Sequence, residues 1–181
     1  DNKERIFYAL KKYYGFDSLR RGQYEIINSI LSGRDTFCLM PTGGGKSLCY
    51  QIPAILMQGI TIVISPLISL MKDQVDNLTS AGIKGAYINS TQTLDTIKEI
   101  LLEASMGEYK IIYVSPERLE SKIFRDMIKN LNISQIAIDE AHCVSQWGHD
   151  FRKSYLQIEK FYDILKSNPV ISAFTATATQ E

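Results

Sequence analysis

Cysteine, histidine and tryptophan are scarce in this sequence. Of 181 residues, three are cysteine, two are histidine and one is tryptophan. Cys38, Cys49 and Cys143 are widely spaced and form no CxxC pair. A disulfide framework and a structural zinc site are therefore not expected, and a reducing intracellular setting fits this cysteine usage best.

The sequence also lacks an excess of charge of either sign and long hydrophobic runs. Twenty lysines and arginines balance 20 aspartates and glutamates, whereas a domain dedicated to duplex nucleic acid is usually basic. The charge therefore gives no nucleic-acid signal by itself, although a local basic groove is compatible with it. No run of 18 apolar residues and no signal peptide occurs, so a membrane span is not expected. Because the first residue is Asp1 rather than methionine, we expect a piece of a longer protein.

What the sequence does contain is a regular alternation of short apolar runs and segments of helical length. The apolar runs are 36–40, 61–64, 85–88, 111–114, 136–138 and 170–174. Helical spacing or composition marks 3–14, 26–31, 67–78, 94–104 and 118–131. This alternation predicts βαβ units in one α/β domain, with a mostly parallel central sheet and helices on both faces.

Polar segments follow five of the six predicted strands. They are 41–47, 65–66, 115–118, 139–142 and 175–177. The carboxyl ends of parallel strands meet at one edge of a sheet, and ligands of such sheets bind there. The sequence therefore predicts that these five segments form one functional edge.

The first of these segments has the composition of a phosphate-binding loop. Gly43, Gly44 and Gly45 let backbone N–H groups approach a phosphate, and Lys46 and Ser47 begin the following helix. Lys46 is suited to the β- and γ-phosphates of a nucleotide, and Ser47 is suited to Mg²⁺. The strict pattern asks for glycine at position 40, where Met40 stands. That departure favours a motor ATPase over a GTPase or a small kinase.

A pair of adjacent carboxylates ends the strand at 136–138. Asp139 is suited to holding Mg²⁺ through water, and Glu140 is suited to orienting or deprotonating an attacking water. Two neighbouring carboxylates repel each other, so a bound cation is their natural partner. The alternative is a solvated turn in which Asp139 caps a helix.

Six segments, in order along the chain, resemble motifs of the RecQ helicases. Residues 40–53, reading MPTGGGKSLCYQIP, resemble motif I, and Asp-Glu-Ala-His at 139–142 resembles motif II of superfamily 2 helicases. The other four are motif 0 at 19–23, motif Ia at 64–75, the aromatic-rich loop at 143–152 and motif III at 175–178. The resemblance implies a RecA-like P-loop fold, with N-terminal helices over 1–33 and a core over 34–181.

The resemblance also implies which residues handle ATP and Mg²⁺. The implied ATP-binding residues are Phe16, Arg20, Gln23, Thr42, Gly43, Gly44, Gly45, Lys46 and Ser47. Lys46 and Glu140 are the implied catalytic residues, and Ser47 and Asp139 are the implied Mg²⁺-binding residues. Within that set, Gln23 and Arg20 recognise adenine and Phe16 stacks near it.

The DNA-binding and coupling residues that the resemblance implies lie in five segments of the chain. They are Trp147, His149, Phe151, Arg152, Arg118, Ser65, Asn89, Thr175 and Thr177. Exposed aromatic rings stack on unpaired bases for about 1–3 kcal/mol each. From their spacing alone, Trp147 and Phe151 are typical of core residues, whereas the flanking residues 148–150 favour a loop. Ser65 and Asn89 are also compatible with helix capping, and the threonines with a strand end.

The resemblance implies the first motor lobe of an ATP-dependent DNA helicase that acts in repair and recombination. Its implied partners are single-stranded and partly duplex DNA and a second motor lobe of the same chain, with no membrane and no required oligomer. An arginine finger worth about 10³–10⁵ in rate would come from that second lobe, so the isolated lobe should be largely inactive. Two alternatives stay open: an RNA helicase lobe of the same superfamily, and a non-catalytic ATP-dependent binding module or unrelated P-loop enzyme.

Overall fold

The computed structural model describes residues 1–41, 45–141 and 151–177. Its helices are α1 (Asn2–Ala9), α2 (Gln23–Leu31), α3 (Lys46–Leu56), α4 (Met71–Ser80), α5 (Leu94–Ser105), α6 (Lys122–Ile128) and α7 (Phe151–Ile164). Its strands are β1 (Thr36–Pro41), β2 (Ile60–Ile64), β3 (Gly85–Ile88), β4 (Ile111–Val114), β5 (Ile133–Ile138) and β6 (Val170–Thr177). In the described ranges, no helix is both long and apolar enough to cross a membrane.

The six strands form one sheet in the order β1-β6-β5-β2-β4-β3, and every described pairing is parallel. Parallel neighbours need crossover connections, and the helices between the strands supply them. The sheet therefore brings the carboxyl ends of all six strands to one edge. The predicted α/β fold with a parallel sheet is confirmed.

Helices cover both faces of the sheet. Successive side chains of a strand point to opposite faces, and here the side chains on both faces are apolar. Ile62 and Ile64 of β2 pack in one buried cluster with α5, α6 and α7. Val63, between them, packs in a second cluster with α3 and α4. The same alternation along β4 and β5 produces a three-layer molecule with two cores.

The N-terminal helices form a third, smaller cluster against α3. Ile6, Ala9 and Leu10 pack on Ile27 of α2 and Ile52 of α3. The expected helix over 3–14 is present, but its last part, Leu10–Tyr14, is a π-helix that ends at Gly15 with φ 73°. This packing holds the N-terminal helices, which carry motif 0, against the helix that follows the phosphate loop. The division between N-terminal helices at 1–33 and a core at 34–181 stays a prediction.

Several element boundaries differ from the expectation for identifiable reasons. β5 begins at Ile133, whereas the sequence predicted a start at 136. The prediction was too short because the polar Ser134 and Gln135 interrupt the apolar run, although Gln135 is buried. The Gln135 amide donates to Thr61 Oγ1 at 3.1 Å and accepts from Ser172 Oγ at 2.8 Å. The predicted helices over 67–78 and 118–131 each begin as a 3₁₀ turn before α4 and α6.

Helix α7 was not predicted. It begins at Phe151, so Phe151 and Arg152 lie in a first helical turn, where the sequence favoured a loop. Among the described side chains of α7, Ile158 and Phe161 are buried, and they are three residues apart on one helical face. Phe161 stacks on Phe124 of α6 with ring centroids 5.7 Å apart.

Candidate nucleotide and DNA site

The functional edge is held together by backbone hydrogen bonds between neighbouring strand ends. The Asp139 N–H donates to Ile64 O at 2.9 Å, and the Ser65 N–H donates to Val114 O at 3.0 Å. Three adjacent strands, β5, β2 and β4, therefore end at the same level. The segments that follow them start side by side, as the sequence predicts.

Lys46 lies between the two adjacent carboxylates at this edge. Its Nζ is 3.2 Å from Asp139 Oδ1 and is also paired with Glu140 Oε2. The Asp139 side chain is 3% exposed and that of Lys46 is 21% exposed, so water screens the interaction only in part. Lys46, the first residue of α3, and the two carboxylates that follow β5 thus form one charged cluster.

The backbone at Glu140 adopts an unusual conformation that serves this cluster. Its φ is 57°, in the left-handed region, and its N–H donates to Asp139 Oδ1 at 3.0 Å. The left-handed region costs a residue with a Cβ about 1–2 kcal/mol. This turn directs both carboxylates toward Lys46, and such conformations cluster at functional sites.

A second part of the site lies where motif 0 meets the phosphate loop. Gln23 is 1% exposed, and its Oε1 accepts from the Arg20 N–H at 2.7 Å while its Nε2 donates to Gly45 O at 3.1 Å. Gly45 has φ 78°, and a Cβ there would collide with the Gln23 amide. Because a side-chain amide has two donor hydrogens and two acceptor positions, Gln23 keeps capacity for a further partner.

A cavity of about 350 Å³ opens beside this contact. Phe16, Arg20 and Gln23 line it, and Phe16 is 52% exposed. The sequence predicted these three residues as an adenine site, and the structure brings them together. Ser18, Leu19 and Leu48 also line the cavity; their proximity in sequence to Gln23 and Lys46 was the available signal for them.

The side chains that could ligate a metal at this edge fit a small hard cation that keeps several bound waters. Ser47 is the second residue of α3, next to Lys46, and Asp139 contributes a carboxylate. In the described part of the chain, no three histidine, cysteine, aspartate or glutamate side chains form a metal-ligating group. Mg²⁺ is commonly held by one or two carboxylates plus substrate phosphates, which agrees with this sparse set. Thr42, Gly43 and Gly44 lie outside the described residues.

The residues predicted to contact DNA are less exposed than the sequence suggested. Ser65 and Asn89 are 4% and 2% exposed, and each stabilises its own turn: Ser65 Oγ accepts from Leu67 N, and Asn89 Oδ1 accepts from Thr91 N. Arg118 is half-buried and donates to Asn89 O at 3.2 Å. Among the described residues, Arg118 Nε and the buried Ser115 Oγ have no hydrogen-bond partner.

The remaining predicted coupling residues are only partly described. Thr175 is 7% exposed and pairs with Leu39 of β1, and Thr177 pairs with Pro41, so both threonines lie beside the strand that leads into the phosphate loop. Trp147 and His149 lie outside the described residues, as do the side chains of Phe151 and Arg152. Their DNA-coupling role stays a prediction.

Comparison with known proteins agrees with this geometry. The family model described as DEAD/DEAH box helicase matches residues 20–181. The ATP-dependent DNA helicase RecQ of Bacillus subtilis (strain 168) is 56% identical over 173 residues, which cover 95% of this chain and 29% of that protein. RecQ of Haemophilus influenzae is 49% identical over 94% of this chain and 27% of that protein. The chain thus spans less than a third of the length of these curated relatives.

Solved structures support the same fold. The DUF1998 helicase MrfA bound to DNA and AMPPNP superposes with a TM-score of 0.77 at 23% identity, covering 98% of this chain and 26% of that one. The Mycobacterium smegmatis helicase Lhr bound to single-stranded DNA and AMP-PNP gives a TM-score of 0.71 at 18% identity, covering 94% of this chain and 24% of that one. The resemblance to RecQ helicases that the motifs indicate is confirmed, and the chain belongs to the DEAD/DEAH box helicase family.

Proposed function

We propose that this chain is the nucleotide-binding lobe of a RecQ-like DNA helicase, which couples ATP hydrolysis to 3′ to 5′ translocation and DNA unwinding in the full-length protein. The observation that carries the proposal is the cluster of Lys46, Asp139 and Glu140 at the sheet edge. A lysine at a helix N-terminus beside two carboxylates provides both signs of charge that a metal–triphosphate needs.

Different residues bind the phosphates and the adenine of the nucleotide. Lys46 moves from the carboxylates to the β- and γ-phosphates, and the N-terminus of α3 adds its positive dipole end. Phe16, Arg20 and Gln23 hold the adenine in the cavity that they line. Because Gln23 also bonds Gly45 O at 3.1 Å, the occupant of the adenine cavity and the shape of the phosphate loop are linked.

The two carboxylates take different roles because their surroundings differ. Asp139 is almost fully buried and, with the Ser47 hydroxyl, would hold Mg²⁺, which supplies charge neutralisation for the phosphates. Glu140 is more exposed, at 16%, and is suited to orienting the attacking water. Its left-handed backbone directs its carboxylate to the same side as Lys46.

DNA would bind along the ends of β2 and β4, next to the nucleotide. The half-buried guanidinium of Arg118 offers N–H groups to a phosphate backbone, whereas the Ser115 hydroxyl is fully buried. Such contacts position a strand without reading its sequence. Ser65 and Asn89 then act by shaping the loops that present neighbouring groups. Trp147, His149, Phe151 and Arg152 would stack on bases and couple DNA to hydrolysis.

A DNA substrate is favoured over RNA by the relatives, whose names specify DNA helicases. A purely binding module is disfavoured because nucleotide binding alone does not require Glu140, which pairs with Lys46 at the sheet edge and is suited to orienting a water. The full-length protein would add the second motor lobe, whose arginine completes charge neutralisation. We therefore expect the isolated lobe to bind ATP weakly and to turn it over poorly.

The test is ATP hydrolysis by the full-length protein with single-stranded DNA, with RNA of the same sequence, or with neither. We expect stimulation by DNA only and unwinding of duplexes with a 3′ tail. Lys46→Ala should lower kcat about 100-fold to 1000-fold, and Glu140→Gln about 100-fold to 10,000-fold. Lys122→Ala, at an exposed pair with Asp126, is the control. Equal stimulation by RNA, or full activity of Glu140→Gln, would overturn the proposal.

A further inference from the structure

One face of the edge strand β1 is exposed although its side chains are apolar. Phe37 and Leu39 are 69% and 61% exposed, whereas Cys38 and Met40, which alternate with them, are buried. Phe37 pairs with Ala173 of β6, and Ala173 packs against the buried cluster that contains α5, α6 and α7. Since paired residues of neighbouring strands point to the same face of a sheet, Phe37 and Leu39 extend the face that those three helices cover.

The backbone of β1 also has a free side. β1 is the first strand in the sheet order, and in the described part of the chain it pairs with β6 alone. No residue of the strand is charged, whereas proteins usually keep an edge strand short, charged or covered because an exposed apolar edge promotes aggregation. β3, at the opposite edge, has four residues, all of them buried or half-buried. The edge at β1 is therefore the one that a further element would complete.

The direction of each connection determines the face on which its helix lies. The connections from β3 to β4, from β4 to β5 and from β5 to β6 run towards β1, and their helices, α5, α6 and α7, pack on one face. The connections from β1 to β2 and from β2 to β3 run away from β1, and α3 and α4 pack on the other face. A single crossover hand produces this division, and parallel strands use the right-handed one in about 98% of cases.

A connection that leaves β6 and returns as a strand beside β1 runs in the first of these directions. Its helix therefore falls on the face of α5, α6 and α7, which is the face where Phe37 and Leu39 are exposed. The described chain spans less than a third of the length of its RecQ relatives, so a helicase of that length has enough chain for such a unit. The handedness of the fold and the position of the exposed side chains thus indicate the same occupant.

We propose that, in the full-length protein, roughly the first 30 residues after Glu181 form a helix that covers Phe37 and Leu39, followed by a parallel strand that pairs with the free edge of β1. β1, which leads into the phosphate loop, then becomes an internal strand of the sheet. The helix carries an apolar stripe towards the sheet and polar residues towards solvent. This inference depends on the fold and on the length of the relatives, and not on the chemistry of the proposed function.

Photo-cross-linking identifies the occupant of this face directly. The full-length protein is made with Phe37→p-benzoylphenylalanine, irradiated and digested, and the cross-linked peptide is identified by mass spectrometry. We expect a cross-link within one molecule, to a peptide that lies within about 30 residues after Glu181. Tyr8→p-benzoylphenylalanine, at an aromatic residue of α1 that is 66% exposed, is the control and should not reach that peptide. A cross-link to another part of the chain, a cross-link between two molecules, or none at all would overturn the inference.

Amide hydrogen exchange of the full-length protein tests the added strand. On an unpaired parallel edge, alternate N–H groups of β1 point to solvent and exchange nearly as fast as in an unfolded peptide. With a strand paired there, every amide of residues 37–40 should exchange about 100-fold more slowly or better, because exchange then requires local opening. The protection should not change when the protein is diluted. Alternating fast and slow amides would contradict the added strand, and protection that is lost on dilution would assign the edge to a second copy of the chain.

Leu39→Asp tests whether a helix covers the face. Leu39 is exposed in the described lobe, so the substitution leaves the packing of the lobe intact, but under a docked helix it buries a carboxylate without a partner. The β1 amides should therefore lose about tenfold or more of their protection. Leu102→Asp, at a residue of α5 that is 56% exposed, is the matched control. Equal exchange of β1 in the two variants would show that the face is uncovered in the full-length protein.

The inference and the proposed function can fail separately. Cross-linking and hydrogen exchange need neither ATP nor DNA, so they decide the occupant of the β1 edge even if Lys46→Ala keeps full activity and the proposed function fails. Conversely, a helicase with the expected ATP hydrolysis and an unpaired β1 would retain the proposed function and lose only this inference.

Discussion

Replacing Lys46 with alanine should destabilise the nucleotide-free protein as well as impair catalysis. The substitution leaves Asp139 and Glu140 side by side without the ammonium group that now lies between them. Removing one partner of a buried ion pair costs about 3–5 kcal/mol, and the 21% exposure of Lys46 places this case near the lower end, at about 3 kcal/mol. For a chain of this size, that corresponds to a melting temperature lowered by about 6–12 °C.

The assay is thermal unfolding without nucleotide, followed by circular dichroism, in a buffer with a chelator. Asp139→Asn introduced together with Lys46→Ala should recover part of the loss, because it removes one of the two repelling charges. Mg²⁺ should stabilise Lys46→Ala more than the wild type, since the cation can take the place of the ammonium group. Lys122→Ala, at an exposed pair, should hardly change the melting temperature. A Lys46→Ala protein that melts with the wild type would refute the electrostatic reasoning.

Two further substitutions test the nucleotide cavity. Gly45→Ala forces a Cβ into the Gln23 amide at φ 78°, and the strain plus a lost hydrogen bond should weaken nucleotide binding by about 2–3 kcal/mol. Gly33→Ala, at φ 81° with open space around it, is its control, and equal binding losses in the two variants would contradict the contact with Gln23. Phe16→Ala should weaken ATP binding by about 1–3 kcal/mol through lost stacking. Phe37→Ala, which removes an even more exposed aromatic ring away from the cavity, should not, and isothermal titration with ATP separates the two.

The fold was largely predictable because strand burial leaves a direct mark on the sequence. Runs such as 111–114 are apolar at every position, as strands covered on both faces must be. β5 was predicted three residues too short because the buried Gln135 is satisfied by Thr61 and Ser172. Those partners are 74 and 37 residues away, so no local pattern could indicate that a polar residue belongs to the core.

The candidate site was predictable where its residues lie at strand ends. The meeting of Lys46 with Asp139 and Glu140 follows from a parallel sheet once both strands are identified. The burial of Asn89 did not follow, because it depends on α4: its amide donates to Met71 Sδ at 3.6 Å.

The hydrogen bonds from Asp139 N to Ile64 O and from Ser65 N to Val114 O have a mechanical consequence. They place the acidic turn and the two predicted DNA-side loops on three strands that cannot slide past one another without breaking the ladder. Close-packed interiors of this kind are stiff and transmit strain instead of absorbing it. The edge should therefore act as one rigid platform, and the large displacements of a motor cycle should occur against this platform rather than within it.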